Sequence, residues 1–342
     1  MLFLSSSNVK ERQMILVTGI SGELGSLILR GLSGEGGLSG EGGLSGEGGL
    51  SGEGGLSGDG GLSGAEGLDV AGGTRTGDGV AARRIDFDDP ASLAEGFRGV
   101  DVLVFVSAGY AEDDVVLARH GAVVDAAEAA GVRHVVYTSL AGSGSLMTIA
   151  LPHRWTEARL ADASFDVTIL RNGLYAELPA GLAAVAAESA AETGVFAAAF
   201  GAGRVSVVAK RDLADVAVRV AAEIQRDLAE GRCGRHAGRT YELEGVEAIG
   251  GQDLADALGV ALGRRVDYHP MSLSAARAAL TGLGLEPYQV THTISLFSNV
   301  GAGFLEARDT DLTALLPTEP RRVRDLMAEI VPATSPSVTS RA

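Results

Sequence analysis

A single cysteine, Cys233, stands among 342 residues, so no disulfide can form within the chain, and a reducing cytosol fits best. Its surroundings, Gly231-Arg232-Cys233-Gly234-Arg235, are a polar loop in which it reads as a bystander. Positive charge is also scarce: 28 lysines and arginines against 44 acids leave −16. That balance argues against nucleic acid and against anionic membrane surfaces, both of which need a basic face. No apolar run approaches the ~20 residues that span a bilayer. Met1-Leu2-Phe3-Leu4 lacks the basic flank and long apolar core of a signal peptide. Met14 directly precedes the first strand, so residues 1–13 read as a disordered extension or an upstream start. No His/Cys/Asp cluster has metal-ligand spacing, and no Gly-x-Ser-x-Gly nucleophile elbow occurs.

What is present is an ordinary soluble composition, 46% hydrophobic and 21% charged. Glycine is in excess, with 49 residues, and its distribution is uneven. Gly31-Leu32-Ser33-Gly34-Glu35-Gly36 recurs four more times through Gly60, with Asp59 replacing glutamate in the last copy. A degenerate sixth copy runs to Gly67. Residues 31–67 hold 18 glycines and six acids without a base, so the rest of the chain stays acidic at −10. Half of each repeat is glycine, which costs the most backbone entropy and offers no packing surface. One leucine in six does not offset that, so the segment reads as a flexible surface insertion rather than a solenoid.

Ahead of the repeats lies Ile15-Leu16-Val17-Thr18-Gly19-Ile20-Ser21-Gly22-Glu23-Leu24-Gly25. An apolar β-branched run, a turn with glycines three apart and then apolar residues at helical spacing predict strand, tight turn and helix. Such a turn aims backbone N–H groups and a helix N-terminus at an anionic phosphate. Gly19 permits the turn, Gly22 lets a pyrophosphate approach, and Gly25 lets the helix pack on the strand. Thr18, Gly19, Ser21, Gly22, Glu23, Leu24 and Gly25 are therefore candidate cofactor-binding residues. Past the repeats, a second strand over 68–75 ends at Arg75, where an arginine accommodates the 2′-phosphate of NADP and an acid would select NAD. Arg83 and Arg84 follow and have a simpler reading as solvated charges, so the reading leans to NADP and leaves NAD open. Asp86 and Phe87 are placed to meet adenine, with a turn acid and a core aromatic as the plain alternative.

The run Asp101–Gly109 is nearly all apolar and ends in small residues, as befits a strand buried on both faces beside a ligand. A helix over 115–130 and strands over 134–139 and 165–171 follow. Strands alternating with helices predict an α/β fold with a doubly wound parallel sheet, its ligand beyond the strand ends near Gly19, Ser107, Ser139 and Arg171.

Together these segments resemble the atypical short-chain dehydrogenase/reductases, and within them the NmrA-like group that includes NAD(P)H:quinone oxidoreductases. The resemblance rests on Thr18-Gly19-x-x-Gly22-x-x-Gly25, Asp86-Phe87-Asp88-Asp89-Pro90, Asp125-Ala126-Ala127 and Val136-Tyr137-Thr138-Ser139. It continues through His153-Arg154-Trp155-Thr156-Glu157, Leu170-Arg171-Asn172-Gly173-Leu174-Tyr175, Arg211-Asp212-Leu213-Ala214 and Asp309-Thr310-Asp311-Leu312. It implies a Rossmann core over 14–174, interrupted at 31–67, and a smaller C-terminal substrate lobe over 175–332. Residues 204–246 are expected to return to the core, and 333–342 to form a disordered tail. The implied cofactor contacts are Gly19, Gly22, Gly25, Arg75, Asp86, Phe87, the Ser107-Ala108 strand end and Arg171.

The implied activity is hydride transfer from NADPH to a quinone or a related conjugated carbonyl. A silent NAD(P)-binding redox sensor and a biosynthetic ketoreductase stand as alternatives. The superfamily's Tyr-x-x-x-Lys is replaced here by His153-x-x-x-Glu157, in which the glutamate is placed to orient or charge the imidazole. Ser139 and His153 are the candidates for hydrogen-bonding the substrate oxygen, with Glu157 in support and Tyr175 lining the pocket. Tyr288, His292 and Phe297 are further pocket candidates. Asn172 and Leu178 replace the family's usual proline and asparagine beside the pocket. The partner expected is a small molecule.

Overall fold

Ile15, Leu16 and Val17 are fully buried, and so are Val102, Leu103, Val104 and Phe105. Two successive runs without an exposed position leave no face for water, which is the pattern of inner strands in a parallel sheet covered on both sides. A computed structural model describes residues 13–34, 68–79, 82–107, 111–232 and 234–330 and arranges these runs accordingly.

In chain order the first half is β1 (Met14–Val17), α1 (Glu23–Ser33), β2 (Asp69–Thr74), β3 (Ala82–Arg84), α2 (Pro90–Gly96) and β4 (Val102–Phe105). It continues with α3 (Asp113–Ala130), β5 (His134–Leu140), α4 (Ala150–Ala161) and β6 (Asp166–Asn172). Then come β7 (Leu174–Tyr175), α5 (Glu177–Thr193), β8 (Val195–Ala198), β9 (Arg204–Val208), α6 (Lys210–Ala229) and β10 (Arg239–Leu243). The last elements are β11 (Glu247–Gly250), α7 (Gly251–Leu262), β12 (Asp267–Pro270), α8 (Leu273–Gly282), α9 (Pro287–Gly301), α10 (Leu312–Leu315) and α11 (Val323–Ile330).

Seven strands form the central sheet in the order β10-β6-β5-β4-β1-β2-β3. Every pairing in it is parallel. The order reverses between β1 and β4, and their carboxyl ends open the crevice where such sheets bind ligands. Side chains alternate between two cores: Ile15, Val17, Val102 and Val104 meet α1 and α6, whereas Leu16, Leu103 and Phe105 meet the helices on the opposite face. A third core gathers α5, α7, β8 and α9 around Phe196, Leu254, Leu258 and Phe297. Small sheets of β11-β9-β7 and β12-β8 lie outside the main one. Thus α6 covers the main sheet and β10 extends it, although both come after β7 in the chain.

Several expected boundaries shift. The helix entered at Glu23 runs through Gly31, Leu32 and Ser33 and ends at Gly34 with φ +75°. The first repeat copy therefore begins as helix, because Leu32 continues the buried stripe of Leu24 and Ile28 at four-residue spacing. Gly31 is required there: a Cβ would lie 2.6 Å from Val218 Cγ2 on α6. The rest of the repeats, 35–67, Ala108 and Cys233 lie outside the described residues. So do the expected extension up to residue 12 and the tail from 331 onward. Strand β3 ends at Arg84 because Asp86 turns the chain toward the N-cap of α2, where Asp89 accepts from the Ala91 amide.

Candidate functional site

The glycine turn meets the requirement its sequence sets. Gly19 has φ +66°, a conformation that L side chains rarely adopt. A Cβ on Gly25 would lie 2.4 Å from Gly19 O, backbone against backbone, so only glycine lets α1 start this close to β1. Gly22 is the N-cap and has no side chain to offer, so the first-turn N–H groups of α1 have no acceptor within the helix. Ser21, Gly22 and Glu23 are exposed. Open amides, a helix N-terminus and a turn without side chains suit a diphosphate. Not every residue of the turn faces it. Leu24 is 7% exposed and its side chain belongs to the core, leaving only its amide available.

Thr18 is fully buried and has another task. Its Oγ1 accepts from the Val106 amide at 3.0 Å, tying the end of β1 to that of β4. Thr138 does the same one strand over, accepting from the Ser107 amide at 3.0 Å. Ser107 is thereby fixed at the rim of the crevice. These two threonines hold three strand ends level.

The three arginines considered for the 2′-phosphate part company. Arg83 donates to Gly96 O at 2.7 Å and Arg98 O at 2.8 Å, which closes the end of α2. Arg84 pairs with Asp89 at 2.6 Å. Arg75 is exposed and makes no ion pair among the described residues. Asp86 accepts from the Asp88 amide at 3.1 Å, and Phe87 sits edge-on to Phe105 with ring centroids 5.7 Å apart. Asp88 is held by a bidentate bond from Arg119, at 2.8 and 2.6 Å, which lowers its pKa.

At the other end of the crevice the expected catalytic residues fall into separate groups. Ser139 Oγ donates to Glu157 Oε1 at 2.5 Å. Glu157 also accepts from Arg154 at 2.7 Å and from Arg171 at 3.0 and 2.6 Å. Burial alone would raise the Glu157 pKa, but these donors, Arg171 first, bring it below the usual value. Arg171 also donates to Glu242 at 2.8 Å, and Glu242 accepts from the Gly142 amide at 2.7 Å. Ser139, Arg171 and Glu242 are register partners on β5, β6 and β10, so the network runs straight across three strand ends.

Two expectations change as a result. Arg171, expected to hold the cofactor, has all three nitrogens committed to carboxylates. Ser139, expected to donate to the substrate oxygen, spends its only hydrogen on Glu157.

His153 and Glu157 do not form the expected pair either. His153 Nδ1 lies 2.9 Å from the hydroxyl of Tyr137, which is fully buried. Burial first and Arg154 next bring the His153 pKa down to about 4, so the ring is neutral near neutral pH. Tyr175 lies on the opposite face of the sheet, packed with the α1 and α6 core. Lys210 Nζ sits 5.4 Å from its ring centroid and forms an ion pair with Glu23, the first residue of α1. Of the residues expected in the C-terminal lobe, His292 meets Thr148 Oγ1 at 2.8 Å, Tyr288 packs on His292, and Phe297 is core.

Sequence reasoning passed over Tyr137, Arg154, Lys210 and Glu242. Two of them carried a local signal: Arg154 stands three before Glu157 on one helix face, and Tyr137 stands two before Ser139 on one strand face. Asn172 buries its Oδ1 without a hydrogen-bond partner among the described residues. Among the described residues no His/Cys/Asp/Glu group could hold a metal ion, and no helix is long and apolar enough to cross a membrane.

Residues 71–223 match the family described as NAD(P)H-binding. The chain is 35% identical over 208 residues to Quinone oxidoreductase 2 of Escherichia coli strain K12, covering 60% of this chain and 67% of that protein. It is 28% identical over 210 residues to an NAD(P)H azoreductase of Xenophilus azovorans, covering 60% and 67%. Among solved structures it is similar to an NADPH-dependent quinone oxidoreductase of Escherichia coli complexed with NADPH. That likeness has a TM-score of 0.72 at 25% identity, covering 92% of this chain and 99% of the other.

Proposed function

Because this chain belongs to the NmrA-like NAD(P)H-binding family, we propose that it is an NADPH-dependent reductase of quinones or related conjugated carbonyls. The observation that carries the reading is the seating of Gly25 against Gly19 O, which leaves the first-turn amides of α1 open to a diphosphate. Gly19, Ser21, Gly22 and the amides of Glu23, Leu24 and Gly25 hold that group. Arg75 takes the 2′-phosphate, and Asp86 and Phe87 border the adenine. Ser107 closes the crevice along the cofactor. The bound nicotinamide supplies the hydride.

The chain's own residues position the acceptor and answer the charge that gathers on its oxygen. His153, on α4 above β5, donates a hydrogen bond to that oxygen. The network of Ser139, Glu157, Arg154, Arg171 and Glu242 stiffens the floor on which the acceptor rests. Tyr175 lines the opposite wall. Reduction of a quinone yields a stabilised aromatic oxyanion that needs little acid catalysis, which suits a site with no Tyr-x-x-x-Lys.

Residues 175–332, apart from 204–246, act as the substrate lobe. The lone cysteine supports a cytoplasmic location. The test is loss of NADPH absorbance on addition of quinones, with tight cofactor binding but no turnover pointing instead to a redox sensor.

A further inference from the structure

Behind His153 the hydrogens can be counted. Thr156 has one to give and donates it to Pro152 O at 2.7 Å. His120 Nδ1, 2.7 Å from Thr156 Oγ1, must therefore be the donor in that contact. Next to it the Tyr137 hydroxyl is fully buried, with His153 Nδ1 at 2.9 Å. Thr156 also lies near this hydroxyl, but the geometry makes no hydrogen bond between them, and His153 Nδ1 is the one partner of the hydroxyl among the described residues. A buried O–H without an acceptor costs ~1–3 kcal/mol, so the phenol donates and Nδ1 accepts. A neutral imidazole that accepts at Nδ1 carries its hydrogen on Nε2. Nε2 has no hydrogen-bond partner among the described residues, and it is not one of the buried unpartnered atoms, so it stays accessible.

We propose that Tyr137 is a positioning residue: it locks His153 as the Nε2–H tautomer, so that a neutral imidazole N–H is the donor facing the substrate oxygen. The identity of that oxygen rests on the reductase reading, whereas the lock belongs to the chain by itself. As hydride reaches the carbonyl acceptor, charge gathers on its oxygen and is met by Nε2–H. The imidazole keeps its hydrogen, being far too weak an acid to release it, and water supplies the proton of the alcohol or hydroquinone. Ser139 cannot share this duty, because its hydrogen is on Glu157. The titratable and charged groups around His153 are Arg154 and Glu157 of its own helix, His120 of α3 and Tyr137 of β5.

The experiment reads the tautomer first, by long-range proton–nitrogen correlation on the full-length protein with labelled histidine near pH 7. The expected spectrum has His153 protonated at Nε2 and accepting at Nδ1, with Tyr137→Phe moving it to a mixture of tautomers. A wild-type ring protonated at Nδ1 or at both nitrogens, or a Tyr137→Phe ring that stays unchanged, overturns the proposal. Paired substitutions give a second readout that does not depend on Tyr137→Phe folding. His153→Gln places an amide N–H where Nε2 was, and His153→Asn places one where Nδ1 was. With benzoquinone and NADPH, His153→Gln is expected to keep kcat within about tenfold of wild type and His153→Asn to lose ~100-fold. The reverse order overturns the proposal. The expected spectra together with no quinone turnover in wild type leave the lock standing and refute the reductase reading instead.

Discussion

Ser139 Oγ donates to Glu157 Oε1 across 2.5 Å, and that one bond turns a serine at the site into part of its frame. Glu157 is 13% exposed at its side chain and takes three further bonds from Arg154 and Arg171. It is the hub on which the loop after β5 and the ends of β6 and β10 depend.

Glu157→Gln should therefore cost stability before it costs chemistry. It leaves two arginines, each about a quarter exposed, short of a charge. About 2 kcal/mol is expected, below the range for fully buried pairs because the guanidinium groups keep some water. Chemical denaturation of the two proteins measures it. Since the Glu157 pKa is lowered in the folded chain, the wild-type advantage is present above its ordinary value of 4.5 and shrinks as pH falls below it. An advantage that grew on acidification would contradict the network.

Gly25→Ala should remove cofactor binding. The added Cβ meets Gly19 O at 2.4 Å, and backbone cannot step aside cheaply. The variant is expected to lose ~1–3 kcal/mol, and NADPH should no longer raise its melting temperature. An undiminished NADPH-induced rise would show that the turn is not the diphosphate seat.

The glycine turn and Arg75 were legible in the sequence because their requirements are local: a positive φ, a close approach and a charge at a strand end. The parallel sheet was legible from runs such as Val102–Phe105, buried on both faces. The catalytic end was not. Whether Arg171 serves a cofactor or a carboxylate depends on the register that sets it between Ser139 and Glu242, and register is a property of three strands at once. His153 and Glu157 share a helix, yet each turns to a different residue of β5. In Asp309-Thr310-Asp311-Leu312 the motif was visible but its task was not. Thr310 and Asp311 bond the backbone of Glu242 and Glu244, and so clamp the outer edge of β10. Leu32 carried a readable helical phase that the repeat around it obscured.

Arg75→Ala should separate the two nicotinamide cofactors. Fluorescence titration is expected to show NADPH weakened about tenfold or more, with NADH within about twofold. Equal losses for both would place the 2′-phosphate elsewhere.

Acid should destabilise the chain well above the range in which carboxylates titrate. Burial first holds His134 at a pKa of about 4 and His120 at about 3 in the folded chain, whereas both return to 6.5 on unfolding. The unfolded state therefore binds protons that the folded state refuses, and stability present above pH 6.5 drains away as pH falls toward 4. A histidine moved from 6.5 to about 4 forfeits about 3 kcal/mol over that window. Urea unfolding at a series of pH values measures the slope, and a flat response from 6.5 down to 4.5 would contradict the burial of these rings.

The central claim is that the crevice at the carboxyl ends of β1, β4 and β5 brings NADPH to a conjugated acceptor. Steady-state oxidation of NADPH by the purified full-length protein, with benzoquinone and naphthoquinone as acceptors, tests it most directly. Saturable turnover that is lost in Gly25→Ala and reduced in His153→Asn is the predicted result. NADPH binding with no acceptor-dependent oxidation above the uncatalysed rate would contradict it.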